Sequence, residues 1–100
     1  MSDFEEEEDN GHPISEKDIK DAIKKHKLYT TPSLNEVLYL HYQGFTKIQN
    51  LEPFINLKAL WLNNNAICEI EGLDELKNLT CLYLANNLIE KISGLDKLEK

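Results

Sequence analysis

Three histidines, two cysteines and several clustered carboxylates are the residues of this 100-residue chain with the chemistry for catalysis or metal binding, and their spacing suits neither. His12 falls in an acidic N-terminal stretch, His26 near the end of a helix-like segment and His41 in a strand-like one, and none stands at a zinc-site spacing from Cys68 or Cys81. Glu69, Glu71, Asp74 and Glu75 are close in sequence but lack the ligand order of a calcium loop, so they read as a solvated face. Gly-rich phosphate loops and a strained serine elbow are absent. No catalytic, cofactor-binding or metal-binding residue is assigned, and an enzymatic reading has nothing to stand on. What is left is a surface chemistry. Tyr39, Trp61 and Tyr83 recur 22 positions apart, framed as Leu38-Tyr39-Leu40, Leu60-Trp61-Leu62 and Leu82-Tyr83-Leu84.

The elements that must position those rings follow from the same period. Written in register, the units start at Leu34, Asn56 and Asn78. Asn65 and Asn87 share one offset, and so do Phe45, Ile67 and Ile89; Ile48, Ile70 and Ile92; Leu51, Leu73 and Leu95; and Phe54, Leu76 and Leu98. This is the leucine-rich repeat pattern, L-x-x-L-x-L-x-x-N-x-L, and it implies an α/β solenoid of stacked units with parallel strands on its concave face. Successive strand residues point to opposite faces, so Leu60 and Leu62 go inward while Ala59, Trp61 and Asn63 look outward. Asn65 and Asn87 are placed to satisfy backbone groups where the chain turns out of its strand. Apolar positions three apart in stretches such as Ile70–Leu76 suit a short helical or 3₁₀ return segment.

The first unit is irregular, with Gln43 at the asparagine offset, Asn35 where the later units have Leu57 and Leu79, and phenylalanines at 45 and 54. Terminal repeats are expected to be atypical. Ser15 with Asp18 makes a capping box, flanked by Ile14 and Ile19 at the spacing of a hydrophobic staple, which predicts a helix starting near Ser15. Ile19, Ala22 and Ile23 form its apolar stripe, extended by the Lys27 stem or Leu28, before Thr31-Pro32 breaks it. Such a helix suits an N-terminal cap over the open end of the stack. Three segments result: an acidic, disordered tail over 1–13, a helical cap over 14–33 and about three repeats over 34–100. Leu95 and Leu98 arrive with nothing after them to cover them, so the repeats are expected to continue in a longer protein.

Net charge is −7, and residues 1–10 hold six carboxylates and no base. That tail reads as a solubilising terminus, or as an acidic arm for a basic partner. All eleven bases are lysines, so the planar fork that suits phosphate is missing and nucleic acid is not an expected partner. No apolar run approaches the ~18 residues of a membrane span, and the acidic start is unlike a signal peptide. A reducing compartment follows, with Cys68 and Cys81 as free thiols.

Outward strand residues of successive repeats stack in columns. Val37, Ala59 and Cys81 form one, Tyr39, Trp61 and Tyr83 the next, and His41, Asn63 and Ala85 the third. A row of large rings outside the core points to a protein-binding face, because such rings dominate binding energy once a partner desolvates them. The blander reading is that they pack on one another as strand neighbours do.

The Ile-x-x-Ile-x-Gly-Leu spacing resembles the repeats of phosphatase-1 regulatory subunits, axonemal dynein light chains and ciliary assembly factors. The stretch from His26 through Leu62, with Thr30-Thr31-Pro32, Tyr42-Gln43-Gly44-Phe45 and Leu60-Trp61-Leu62, is similar to the start of the dynein axonemal assembly factor 1 family. The similarity runs from about Ile14 to Lys100 and takes in the helix ahead of the repeats. It implies a non-enzymatic, cytoplasmic, cilium-associated factor for preassembly of dynein arms, with dynein chains or co-chaperones as partners and neither cofactor nor small-molecule substrate. The alternatives from the same repeat class are a structural axonemal subunit and a phosphatase-regulating scaffold.

Overall fold

Ser15 opens the longest helix among the described residues. The structure, a computed structural model, describes residues 11–90, so the acidic run of residues 1–10 and the inward positions expected at Ile92, Leu95 and Leu98 lie outside the described residues. The order is β1 (His12–Pro13), α1 (Glu16–Lys25), a 3₁₀ turn (Pro32–Leu34), β2 (Val37–Tyr39), β3 (Phe45–Lys47), β4 (Ala59–Trp61) and β5 (Cys81–Tyr83).

The capping box forms as the sequence predicts. The Asp18 backbone N–H donates to Ser15 Oγ at 3.1 Å, and Asp18 Oδ2 accepts from the Ser15 N–H at 2.9 Å and from its hydroxyl at 2.8 Å. Ile14 and Ile19, the staple pair, are both buried, as are Ala22 and Ile23. The helix ends earlier than the Thr31-Pro32 break suggests. Lys27 turns left-handed at φ 56°, which lets the Leu28 N–H reach the Ile23 carbonyl at 2.8 Å and the Lys27 N–H reach that of Lys24 at 3.3 Å. This is a Schellman closure with lysine in the place usually taken by glycine. It satisfies carbonyls that the end of a helix would otherwise orphan.

The 22-residue period appears directly as strand register. β2, β4 and β5 form a parallel sheet in the order β2-β4-β5, pairing Val37 with Ala59 and Cys81, Leu38 with Leu60 and Leu82, and Tyr39 with Trp61 and Tyr83. Bonds beyond the strands repeat at the same interval: the Leu40 N–H donates to the Trp61 carbonyl at 2.8 Å, and the Leu62 N–H to that of Tyr83 at 2.9 Å. The alternation falls as expected, with Leu38, Leu40, Leu60 and Leu62 buried. Phe45, Ile48, Leu51, Phe54, Leu57, Ile67, Ile70, Leu73, Leu76 and Leu79 complete the core. α1 packs against β2, the edge strand on that side.

The return segments are not continuous helix. Each is a pair of successive turns closed by i to i+3 bonds, Phe54 to Leu51 and Leu57 to Phe54 in one unit, Leu76 to Leu73 and Leu79 to Leu76 in the next, each 3.0 or 3.1 Å long. Apolar residues three apart are what such 3₁₀ geometry aligns on one side. Gly72 is required where it stands: its φ is 71°, and a Cβ there would lie 2.6 Å from the Ile48 carbonyl oxygen. Asn50, at the same offset one unit earlier, takes φ 66°.

A second, two-stranded parallel sheet pairs β1 with β3, an arrangement that the alternation pattern does not signal. His12–Pro13 therefore has a defined place inside the stretch read as tail. The physical reason is Ile14, which is fully buried and whose N–H donates to the Lys47 carbonyl at 3.1 Å. Asn50 Nδ2 and Gln49 Nε2 both donate to the Ile14 carbonyl, at 2.8 and 3.2 Å, and fix the chain there before α1 begins.

Candidate interaction face

Two kinds of asparagine work hold the strand ends in place. Asn65 Oδ1 accepts from the backbone N–H of Gln43 and Phe45 at 3.0 Å each, while its Nδ2 donates to the carbonyls of Leu40 and Leu62 at 3.0 and 2.9 Å. One short amide thus ties its own unit to the one before. Asn87 repeats this one unit on, accepting from Ile67 and donating to Leu62 and Leu84. Immediately before each, Asn64 and Asn86 adopt φ of 60° and 63°, the left-handed conformation that asparagine tolerates better than other side chains. In the first unit the same offset carries Tyr42 at φ 57°.

This scaffold presents the outward residues. The Trp61 and Tyr83 rings stack with centroids 4.1 Å apart and planes 25° from parallel, and Tyr39 follows at 5.8 Å from Trp61 with a 37° tilt. Tyr39 and Trp61 are half-buried, while Tyr83 is 41% exposed. Both readings of the rings describe part of what is seen: they pack on one another, and their free faces remain outside the leucine core. Val37 and Ala59 are half-buried beside them and Cys81 is exposed; on the other side His41 and Asn63 are half-buried and Ala85 is exposed. All nine outward positions read from the sequence lie on this one surface, carried by β2, β4, β5 and the residues just after them.

Two further residues join it. The His26 ring, at the C-terminal end of α1, sits 4.8 Å from Tyr39 and 6.3 Å from His41. Burial disfavours its charged form, and Lys25 and His41 add like-charge repulsion, so His26 titrates below its ordinary range. Tyr42 lies 5.6 Å from His41 and is 70% exposed. Sequence reasoning passed over both. The signal for Tyr42 was its offset, which places a bulky ring where Asn64 and Asn86 stand; His26 had none, since only the packing of α1 on β2 brings it to the face. His41 Nδ1 and Asn63 Oδ1 are buried without a hydrogen-bond partner at successive positions of one column of the face. Unsatisfied atoms of that kind are uncommon in folded proteins.

At the other end of α1, His12 Nε2 meets Asp18 Oδ2 at 3.0 Å. Burial alone would raise the Asp18 carboxyl, but the two hydrogen bonds from Ser15 and the contact with His12 outweigh it and hold the group below its ordinary value. Among the described residues no three His, Cys, Asp or Glu side chains come together as a metal site, and Cys68 and Cys81 are exposed and unpaired. No helix of the described residues is long and apolar enough to cross a membrane.

Comparison with known proteins agrees with the repeat reading. Residues 55–97 match a family model described as leucine-rich repeats in two copies. Proteins named dynein axonemal assembly factor 1 homolog from Drosophila pseudoobscura pseudoobscura and Drosophila erecta are 56% and 59% identical over 52 residues, which is 52% of this chain. Dynein axonemal assembly factor 1 of Mus musculus is 45% identical over 58 residues, or 58% of the chain. The matched stretch is shorter than the Ile14–Lys100 likeness read from the sequence. It represents 3%, 4% and 9% of those three relatives, so the chain corresponds to a small part of each.

Proposed function

We propose that this chain, a leucine-rich repeat sequence homologous over about half its length to dynein axonemal assembly factor 1 proteins, is a non-enzymatic protein-binding scaffold for preassembly of axonemal dynein arms in the cytoplasm. The observation that carries the mechanism is the ring stack. Strand register alone would be served by Val or Thr at the outward positions, yet Tyr39, Trp61 and Tyr83 place three aromatic rings in one column outside the core. Rings held in place by their neighbours lose little conformational entropy when a partner covers them, and their polar edges can still hydrogen-bond, the Trp61 indole N–H as a donor and the tyrosine hydroxyls as donor or acceptor.

In this reading the repeats from residue 34 build a solenoid whose concave wall is the β2-β4-β5 face, and residues 14–33 form its N-terminal cap. A dynein chain or a co-chaperone lies across the columns, with Val37, Ala59 and Cys81 on one flank and His41, Asn63 and Ala85 on the other. Catalysis plays no part, since the role is to hold a partner during assembly.

The test is capture from a lysate of ciliated cells by the intact protein and by a variant with Tyr39, Trp61 and Tyr83 all changed to Ala, with folding checked by circular dichroism. Axonemal dynein chains or their co-chaperones should be retained by the first and lost by the second. Equal retention by a folded variant would exclude the face, and retention of a phosphatase catalytic subunit instead would favour the regulatory-scaffold alternative. Fractionation tests the assembly role separately: an assembly factor stays in the soluble pool of the cell body, whereas a structural subunit purifies with demembranated axonemes.

A further inference from the structure

Beside the strand face, α1 from Lys17 on and the loop after it carry charge opposite to the rest of the chain. Residues 17–27 contain five lysines against two aspartates, in a protein whose net charge is −7. Lys17 is paired with Asp21 at 3.1 Å; Lys20, Lys24 and Lys27 have no ion-pair partner among the described residues. Those three rim a cavity of 440 Å³ floored by Ile23 and Leu28. A second cavity of 530 Å³ adjoins it, sharing Lys27 and Leu28 and adding Tyr29, Leu34, Asn35, Glu36 and Val37, the last of which also flanks the strand face; the Glu36 carboxylate is turned to Lys58 at 3.7 Å. Tyr29 and Leu34 are 62% and 58% exposed, large apolar side chains left in solvent beside that lysine rim.

The loop that carries them is held rather than loose. Asn35, buried where the later repeats have leucine, accepts from the Tyr29 N–H at 3.0 Å and donates to the Tyr29 carbonyl at 2.9 Å. That two-way clamp and the Schellman closure at Lys27 fix the walls of both cavities before any ligand arrives, so little ordering is left to oppose binding. The helix dipole accounts for basic residues in the last turn, Lys24 and Lys25. It does not account for Lys20, a turn earlier, or for Lys27, which is beyond the helix.

We propose that this surface docks an acidic protein segment bearing apolar side chains, the carboxylates meeting the lysine rim and the apolar groups entering the two cavities. This docking uses none of the three rings of the strand face, although Val37 borders both surfaces. A concavity floored by Ile23 and Leu28, with a mixed one beside it, fits inserted side chains better than a flat bilayer surface, and a rim of lysines without arginine lacks the fork that phosphate recognition favours. Lysine as a point charge serves carboxylates on a mobile segment, and steers its approach.

Fluorescence anisotropy with a labelled peptide of sequence Glu-Glu-Phe-Glu-Glu-Leu-Glu-Glu tests it on the full chain. Three results are expected: binding weakens about tenfold when Lys20, Lys24 and Lys27 are changed to Gln, since exposed pairs contribute modestly one by one; it weakens comparably in Tyr29→Ser/Leu34→Ser; and it survives the triple alanine variant of Tyr39, Trp61 and Tyr83. A control peptide with Ser for Phe and Leu should bind at least several-fold less tightly. The proposal is overturned if the peptide fails to bind, if both surface variants bind it like the parent, if the control peptide binds equally well, or if anionic phosphatidylserine vesicles compete where the peptide does not. Thermal melts of the lysine variant and of Tyr29→Ser/Leu34→Ser should match the parent, because none of these side chains belongs to the core.

Discussion

Leu38 and Leu40 in the first unit occupy the same inward strand positions as Leu82 and Leu84 in the third, yet the first pair is buried and the third pair is only partly so. The leucines are alike; the layers beside them differ. Leu38 and Leu40 lie between the second unit and the apolar stripe of α1, with Ile14, Ile19, Ala22 and Ile23 in the same core. Leu82 and Leu84 have Leu60 and Leu62 on one side, and Leu88 near them is 58% exposed. An inward residue of a stacked repeat is as buried as its two neighbouring layers make it, and stability in such an array is close to a sum of layer interfaces.

The largest predicted effect breaks the middle layer. Leu60→Ala, with neighbours on both sides, should lower unfolding free energy by about 3 to 5 kcal/mol in urea melts, whereas Leu82→Ala should cost less than half as much. Near-equal costs would show that the two layers are equivalent after all. Gly72→Ala comes next, at roughly 2 kcal/mol or more, because the added methyl meets the Ile48 carbonyl and the backbone is left-handed there. The matching change Asn50→Gly, one unit earlier, sacrifices the bond to the Ile14 carbonyl and separates the packing requirement from the backbone one.

Asn65→Ala should cost about 2 kcal/mol, since it leaves the N–H groups of Gln43 and Phe45 and two carbonyls without their partner. Gln43→Ala at the corresponding offset of the first unit should fall within about 0.5 kcal/mol of the parent, as for an exposed side chain with no such role. Tyr42→Asn is expected to stabilise by about 1 kcal/mol in the same melts, by relieving a left-handed tyrosine. Loss of partner capture in that variant would show why the strain is kept.

The smallest effect is on pH dependence. Because His26 titrates below its ordinary 6.5 in the folded chain, the unfolded chain takes up its proton first as pH falls. The associated stability is present above pH 6.5 and is lost as pH drops through the folded value, so thermal midpoints should decline on the acid side and His26→Gln should flatten that decline. Asp18, held below 3.8, contributes stability that disappears only at still lower pH.

The repeats were legible because one offset reports one environment: every 22 residues the chain returns to the same leucine layer, asparagine tie and outward ring. The capping box was legible for a similar reason, being a local contact between residues three apart. The β1–β3 pairing and the place of His26 were not, because each depends on contacts made across the fold by segments outside the period. The helix end was misjudged for a subtler reason: lysine rarely takes the left-handed position, so Lys27 gave no stop signal, and Pro32 gave a later one. Gln43 in place of asparagine did signal the end of the ladder, since Asn65 and Asn87 each tie back to a preceding unit, and the first unit has α1 there instead.

Trp61 is the only tryptophan of the chain, so its emission reports directly on the claim that leucines face in and rings face out to meet a partner. Acrylamide quenching should find a half-buried indole still reached by the quencher in the free protein, and a shielded one once a captured dynein chain or co-chaperone is bound. Blue-shifted emission that resists quenching in the free protein, or quenching that the bound partner leaves unchanged, would contradict the account.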